Sequence, residues 1–330
     1  MILQPLTIDA YARAIHEHRA LREGAAALAR AFHAPEIVLN AAAPIGTVAG
    51  REAVASLFWQ PLLAAFPDLE RRTGILVNGQ FRGQEWFAST GLLIGHFTGP
   101  LFGMKPTGRP QRLRYGWFDR IEGDRVVESY VIFDFARLMI DTGQWPLAPP
   151  LGGDWWPAPA TQDGLMRAAG SATAAESEKS LKLVEAMIGG LMKYDGQSLA
   201  SMGMRSFWTP QFQWYGPGAI GSARGHADYE RAHQRPFLVA FPDRVGGNHK
   251  CRIGDGPYVA STGWPSIHAT HSGSGWLGMP ATGKRISMRV MDFWRREGEL
   301  LAENWVFIDL IDLLGQFGVD VWERLAECRR

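Results

Sequence analysis

Asp292 stands in the apolar run Val290-Met291-Asp292-Phe293-Trp294, where a carboxylate must find a partner or be neutralised. Held near aromatic rings, its pKa rises, which suits a general base near neutral pH. Asn304 falls on the next strand-like run and can orient such a carboxylate by a hydrogen bond. Histidines offer the complementary acid. His268 and His271 lie on one long strand and His249 on the strand before it, and an imidazole can donate a proton to a developing enolate or alkoxide oxygen. Successive strand residues alternate faces, so His268 and His271 cannot both point inward in a regular strand. His268 is the preferred candidate, because His271 belongs to a glycine-rich loop that has a second copy in the chain. Trp214, Trp264, Trp294, Tyr229 and Trp305 are candidate walls for a flat apolar ligand.

The copy is Gly95 to Arg109, which returns as Thr270 to Lys284, with His96/His271, Gly103/Gly278 and Gly108/Gly283 each 175 residues apart. The same offset links Pro35 to Pro210, Gly50 to Gly225, Glu128 to Glu303, and Asp134 to Asp309. A match this long in one register is a duplication. Its units are large enough for each to bury its own core, so it predicts two tandem domains and not a solenoid.

The elements follow the same plan twice. Thr7 to Phe32 reads as helix with a join near Gly24, Glu36 to Asn40 as a short strand, and Gly50 to Phe66 as a helix stopped by Pro67. Four strand-like runs follow: Arg71–Val77, Glu85–Gly95, Gln111–Ile121 and Arg125–Phe135, the last two joined by the turn Glu122-Gly123-Asp124. A short helix, Arg137–Thr142, ends the first half. Helices first and an antiparallel meander after them argue an α+β class. The second half predicts helices at Ser177–Tyr194 and Ser198–Phe207, a strand at Pro210–Tyr215, and a third helix from Gly225 to Phe241. The expected domains are 1–145 and 177–330, with 146–176 as a Pro/Trp/Ala-rich linker whose tryptophans should lie against a domain.

Composition narrows the partners. Apolar residues make up 46% and charged residues 20% of 330, the values of a globular protein, and a net charge of +1 gives no electrostatic case for nucleic acid or an anionic membrane. No apolar stretch approaches the ~20 residues that span a bilayer, and Met1 to Asp9 lacks a secretory pattern, so the expectation is cytoplasmic. Cys251 and Cys328 form no framework. Five histidines in the second half (226, 233, 249, 268 and 271) fit no metal-ligand spacing, and no phosphate-cradling loop follows a strand, so neither a metal nor a nucleotide cofactor is expected.

Three quoted motifs carry a family resemblance. They are Phe66-Pro67-Asp68, the Gly95–Arg109 loop, and the hairpin Arg120 to Glu128, with a second set at Phe241-Pro242-Asp243, His271–Lys284 and Arg295–Glu303. Together these resemble the SnoaL-like polyketide cyclase branch of the nuclear transport factor 2-like superfamily, over nearly the whole of both halves. The resemblance implies two cone-shaped domains, each with about three helices packed on a curved antiparallel sheet around an apolar pocket. It also implies small aromatic or apolar ligands, and domains that pair through their sheets, here as an intramolecular pseudo-dimer, with a homo-oligomer possible. Its members include cyclases, isomerases, dehydratases and cofactor-free lyases as well as non-catalytic binders, so fold alone does not settle function. The cyclases' acid/base His and Asp positions fall on Trp117 and Val131 in the first half, and on Asp292 and Val306 in the second. Neither half keeps that pair, but the resemblance puts Asp292 and Asn304 on the pocket side.

An alternative site in the first half would use Tyr115, Asp119 and His96, with Trp86, Trp117 and Trp59 around them. Plainer roles compete throughout: backbone bonding for His96 and His271, helix capping for Asp134 and Asp309, and outer-face ion pairs for Glu128 and Glu303. The leading expectation is a cofactor-independent acid/base enzyme on a small aromatic or polycyclic substrate, of lyase, cyclase, dehydratase or isomerase type. Asp292 would be its base, His268 its proton donor and Asn304 the orienting partner. The rival is a non-catalytic module binding an apolar molecule or a protein partner.

Overall fold

Thr7 caps the first helix, its Oγ1 accepting a hydrogen bond from Ala10 N at 3.2 Å, and the chain then folds in the order its hydrophobic periodicities suggest. The computed structural model describes residues 5–156 and 172–327. Two compact units result. One holds the chain to Pro146 together with the stretch after Val319, and the other holds 147–156 and 172–319. The second part of the expected linker, including Pro157-Ala158-Pro159, lies outside the described residues.

In the first unit α1 (Ile8–Glu17) and α2 (Leu21–Phe32) lead into β1 (His33–Ala41) and β2 (Thr47–Ala49). A long helix, α3 (51–65), follows, and then the meander β3 (Glu70–Phe81), β4 (Gln84–His96), β5 (Pro110–Glu122) and β6 (Arg125–Phe133), closed by α4 (Phe135–Asp141). The sheet order is β2-β1-β6-β5-β4-β3, with β1 parallel to β6 and the other pairs antiparallel. The second unit repeats it. Its elements are α5 (Ala174–Leu191), β7 (Trp208–Tyr215), β8 (Ala223–Arg224), α6 (225–240), β9 (Val245–Gly246), β10 (His249–Asp255), β11 (Tyr258–Thr270), β12 (Arg285–Glu297), β13 (Leu300–Ile308) and α7 (Leu310–Phe317). The order is β10-β11-β12-β13-β7-β8, with β9 on β11 and β7 parallel to β13. The last helix, α8 (Val321–Glu327), belongs to the first unit, where the Trp322 ring packs edge-on against Phe102 and Phe135. The α+β class and the twofold plan are as expected.

Three local differences have physical reasons. The helix break falls at Arg19-Ala20, not at Gly24, because backbone there pairs with the start of β3: Arg71 N donates to Arg19 O, and Leu21 N to Leu69 O. Gly24 instead allows α2 to pack closely on the end of α1, since a Cβ on it would sit 2.0 Å from His18 O. Gly24→Ala is therefore expected to lower Tm, by roughly 1–3 kcal/mol of stability. Gly189→Ala, in α5 with open space around it, should raise stability by about 1 kcal/mol. Paired thermal melts of the two variants check both signs.

The span Ser198–Phe207 forms two short 3₁₀ turns, Leu199–Met202 and Met204–Ser206, divided by Gly203 at φ 64°, instead of one helix.

The third difference is the register of the copy. His271 takes the place of Phe97, not of His96: Phe97 and His271 each donate their N–H across the loop (to Arg109 O and Lys284 O) and accept from the following Thr-Gly pair. Their rings pack on Phe66 and Phe241 respectively. From Phe97/His271 to Gly99/Gly273 the structural offset is one residue less than the sequence register, so the shared histidine is a coincidence of alignment.

Both long helices carry a π turn, Val54–Trp59 in α3 and Glu230–Gln234 in α6, each ending just before a proline, Pro61 and Pro236. Proline has no N–H to give the ordinary i−4 bond, and the wider turn absorbs that loss.

Candidate active site

Along β12 the side chains of Met288, Val290, Asp292 and Trp294 share one face, as do Asn304, Val306 and Ile308 on β13, and Trp208 and Trp214 on β7. Across from them α6 presents Tyr229, His233 and Phe237 at helical spacing, and α5 presents Met187, Ile188 and Leu191. These residues enclose a cavity of about 210 Å³ within the second unit. Met192 and Val245, about half exposed, mark its opening.

Asp292 lies inside, walled by protein, with its remaining accessible surface facing the cavity. Burial pushes its carboxyl from the ordinary 3.8 up to about 7, against the smaller opposing effects of the Asn304 hydrogen bond and the Arg252 charge. Asn304 Nδ2 donates to Asp292 Oδ1 at 3.3 Å and to the Phe293 carbonyl at 3.1 Å, which fixes the amide and steadies one carboxylate oxygen. Among the described residues no donor reaches Oδ2. Beside it, the buried Trp294 keeps its indole N–H without a protein partner, as does the Gln234 amide nitrogen. His233 stacks on Trp214 at 4.3 Å, and burial drives its imidazole down to about 3, so the ring is neutral at physiological pH. Burial also raises the Tyr229 phenol, and the Asp292 charge adds to that.

Of the residues expected at the site, Asp292, Asn304, Trp214, Trp294, Tyr229 and His249 line the cavity. His268 does not. A bulge in β11 between Gly263 and Ile267 shifts the alternation, so Ile267 faces the cavity while His268 is exposed opposite Ser287. His271 is fully buried elsewhere, stacked on Phe317 at 4.1 Å with Nδ1 3.2 Å from Thr282 Oγ1, as a structural group of the loop. Trp264 lies in the bulge under the Arg289 guanidinium, and Trp305 points to the opposite sheet face against Tyr215. The spacing Tyr229/His233/Phe237 is the signal that would have drawn His233 into the candidate set; Arg244, also a liner, has no comparable sequence signal.

The first unit places the same residue types differently. Trp117 occupies the Asp292 position of β5 and Asp119 the Trp294 position, an exchange of order on one strand. Asp119 accepts from Tyr11 OH at 2.5 Å, Trp117 Nε1 at 2.7 Å and Ser129 Oγ at 2.6 Å. Tyr115 OH accepts from Arg71 Nε and pairs with Thr73 Oγ1, and the Arg71 guanidinium lies over the Tyr115 and Trp117 rings. Trp59 stacks on Trp117, with Phe58 edge-on to both, so rings fill the volume. Trp86 faces the other way, toward Tyr130, and His96 is exposed, bonded to Asp68. Of this alternative set, Tyr115, Trp117 and Asp119 form a hydrogen-bonded core. It leaves no carboxylate oxygen unbonded.

The plainer roles hold elsewhere. Asp134 and Asp309 cap α4 and α7, and Glu128 and Glu303 pair with Arg120 and Arg295. Among the described residues no His/Cys/Asp/Glu group has metal-binding geometry, and no helix is long and apolar enough to cross a membrane.

Solved structures to which the chain is similar include AclR of Streptomyces galilaeus, a candidate hydroxylase (22% identity, 43% of this chain and 82% of that one, TM-score 0.34). Another is wild-type IdmH of Streptomyces antibioticus, a candidate polyketide cyclase (22% identity, 42% and 99%, TM-score 0.34). An NTF2-like protein of Burkholderia xenovorans aligns at 12% identity (45% and 99%, TM-score 0.34). Each aligns over a little under half of this chain. No curated protein matches. The model of the SnoaL-like polyketide cyclase family matches twice, over residues 10–141 and 197–317. The chain belongs to the SnoaL-like polyketide cyclase family, as a tandem pair of its domains.

Proposed function

We propose that the second unit is a cofactor-independent acid/base enzyme that removes a proton from carbon next to a carbonyl of an apolar, ring-bearing substrate. The observation carrying this reading is one carboxylate, Asp292, desolvated in an apolar cavity with Oδ2 unbonded and its pKa brought near 7. Such a base is ionised often enough to act and basic enough to act usefully at neutral pH. Family membership makes ring closure or isomerisation the expected outcome.

In this reading Asp292 Oδ2 takes the α-proton, and the C–H electron pair moves into an enolate. The Trp294 indole N–H, two residues along the same face, donates a hydrogen bond to the enolate oxygen. Asn304 holds Oδ1 so that Oδ2 stays aimed inward. The enolate carbon then attacks a second carbonyl, whose new alkoxide oxygen takes the proton from Asp292, or a remote carbon of the conjugated system accepts the proton back from Asp292. Either route restores the carboxylate.

Proton–deuterium exchange at the α-carbon of a naphthyl methyl ketone, followed by NMR, isolates the first step. The wild-type rate is expected to rise with pH and level off above about 7, because the base must be ionised. Trp294→Phe should slow exchange roughly 100–1,000-fold, the loss of one oxyanion donor. If exchange runs at the solvent rate while the ketone demonstrably binds, the cavity is a binding site and not a catalytic one.

A further inference from the structure

Arg244 is the one Lys or Arg among the described residues lining the cavity, and Asp292 is the one carboxylate there. Among the described residues no carboxylate pairs with Arg244. Nη2 donates to the Leu191 carbonyl, and the guanidinium lies 5.8 Å from the Tyr194 ring. The remaining guanidinium N–H groups have no acceptor among the described residues. Its position is fixed: it directly precedes β9, whose Val245 and Gly246 pair with His268 and Ile267 of β11. Leu69 holds the equivalent place in the first unit, fully buried in the core. The arginine therefore accompanies the open cavity and not the fold.

A half-buried guanidinium with free donors at the rim of an apolar chamber is costly unless something anionic meets it. Resting on the acid/base reading of the same cavity, we propose that Arg244 is the anchor for a carboxylate on the substrate, which makes the substrate class aromatic keto acids. Their ketone end reaches Asp292 and Trp294, and their carboxylate stays near the opening. The two ends match the fold's dimensions. Ile267 pairs with Met288, four residues along β12 from Asp292, a strand rise of roughly 13 Å, part of which the arginine's own arm spans. Tyr229 lies between the ends and feels both charges: Asp292 raises its phenol pKa and Arg244 lowers it. The anchor also keeps the substrate carboxylate away from the ionised base, where like charges would repel.

The test is calorimetric binding at fixed salt of a matched pair, 6-acetyl-2-naphthoic acid and its methyl ester, to the full chain and to Arg244→Met. Wild type is expected to bind the acid at least tenfold tighter than the ester, and Arg244→Met should abolish that preference while changing ester affinity less than threefold. Arg244→Lys should restore part of the preference, since a point charge remains without the planar fork. Equal binding of acid and ester to wild type, or a preference that survives in Arg244→Met, overturns the anchor. Asp292→Asn separates the two readings. Lost exchange with an intact acid preference supports both, whereas unchanged exchange in that variant removes the base and leaves the anchor to be judged by the binding data alone.

Discussion

Asp292→Asn is expected to abolish α-proton exchange, by 10³-fold or more, and to make the protein more stable. The first effect follows from removing the base while keeping its shape and its hydrogen bond from Asn304. The second follows from linkage. The folded-state carboxyl has its pKa raised from 3.8 to about 7, so between those values the unfolded chain releases a proton that the folded chain retains. Stability therefore falls as pH climbs through that window, and the full penalty is present above about 7. Three pKa units correspond to at most roughly 4 kcal/mol, reduced by whatever water enters the cavity. Asparagine has no charge to desolvate. Its gain in Tm should be largest near pH 8 and vanish toward pH 3.5, in melts of the two proteins run side by side. A variant less stable than wild type at pH 8 would show that Asp292 is held by partners and is structural.

Asp119→Ala is expected to act in the opposite sense, costing the first unit roughly 3–5 kcal/mol. The carboxylate gathers three donors, and its removal strands Tyr11 OH, the Trp117 N–H and Ser129 Oγ in a dry interior beside the buried Arg71 charge. Exchange activity per folded molecule should not change. Denaturant unfolding that reports the two units separately, for example by tryptophan fluorescence, would register the loss in one transition. An unfolding curve identical to wild type would mean that the network contributes nothing net.

How much of this was legible in the sequence depends on the kind of physics involved. The α+β class and the duplication could be read because helix stops such as Phe-Pro-Asp and the Glu-Gly-Asp hairpin are local. Asp292 could be read because a carboxylate between apolar residues is anomalous wherever it occurs. His268 misled, since strand parity holds only until a bulge, and a count of alternation passes over Gly263 and Pro265, the residues that mark one. His96 and His271 misled for a related reason: an ungapped identity hid compensating length changes in the β-hairpin, the bulge and the loop. His233 and Arg244 were missed because their significance lies in what they fail to bond. A missing partner is a property of three-dimensional packing.

The exchange of Trp-x-Asp for Asp-x-Trp on equivalent strands has a consequence for how the protein tolerates change. Reactive groups are usually a burden on the domain that carries them, and selection must balance the two. In the proposed acid/base reading the copies divide that conflict. The first has closed its carboxylate into a keystone and is free to accumulate stabilising substitutions without touching reactivity. The second keeps its carboxylate unsatisfied and tolerates the strain. Engineering for heat resistance should therefore begin in residues 5–146, and engineering for new substrates in the methionine-lined chamber of the other half.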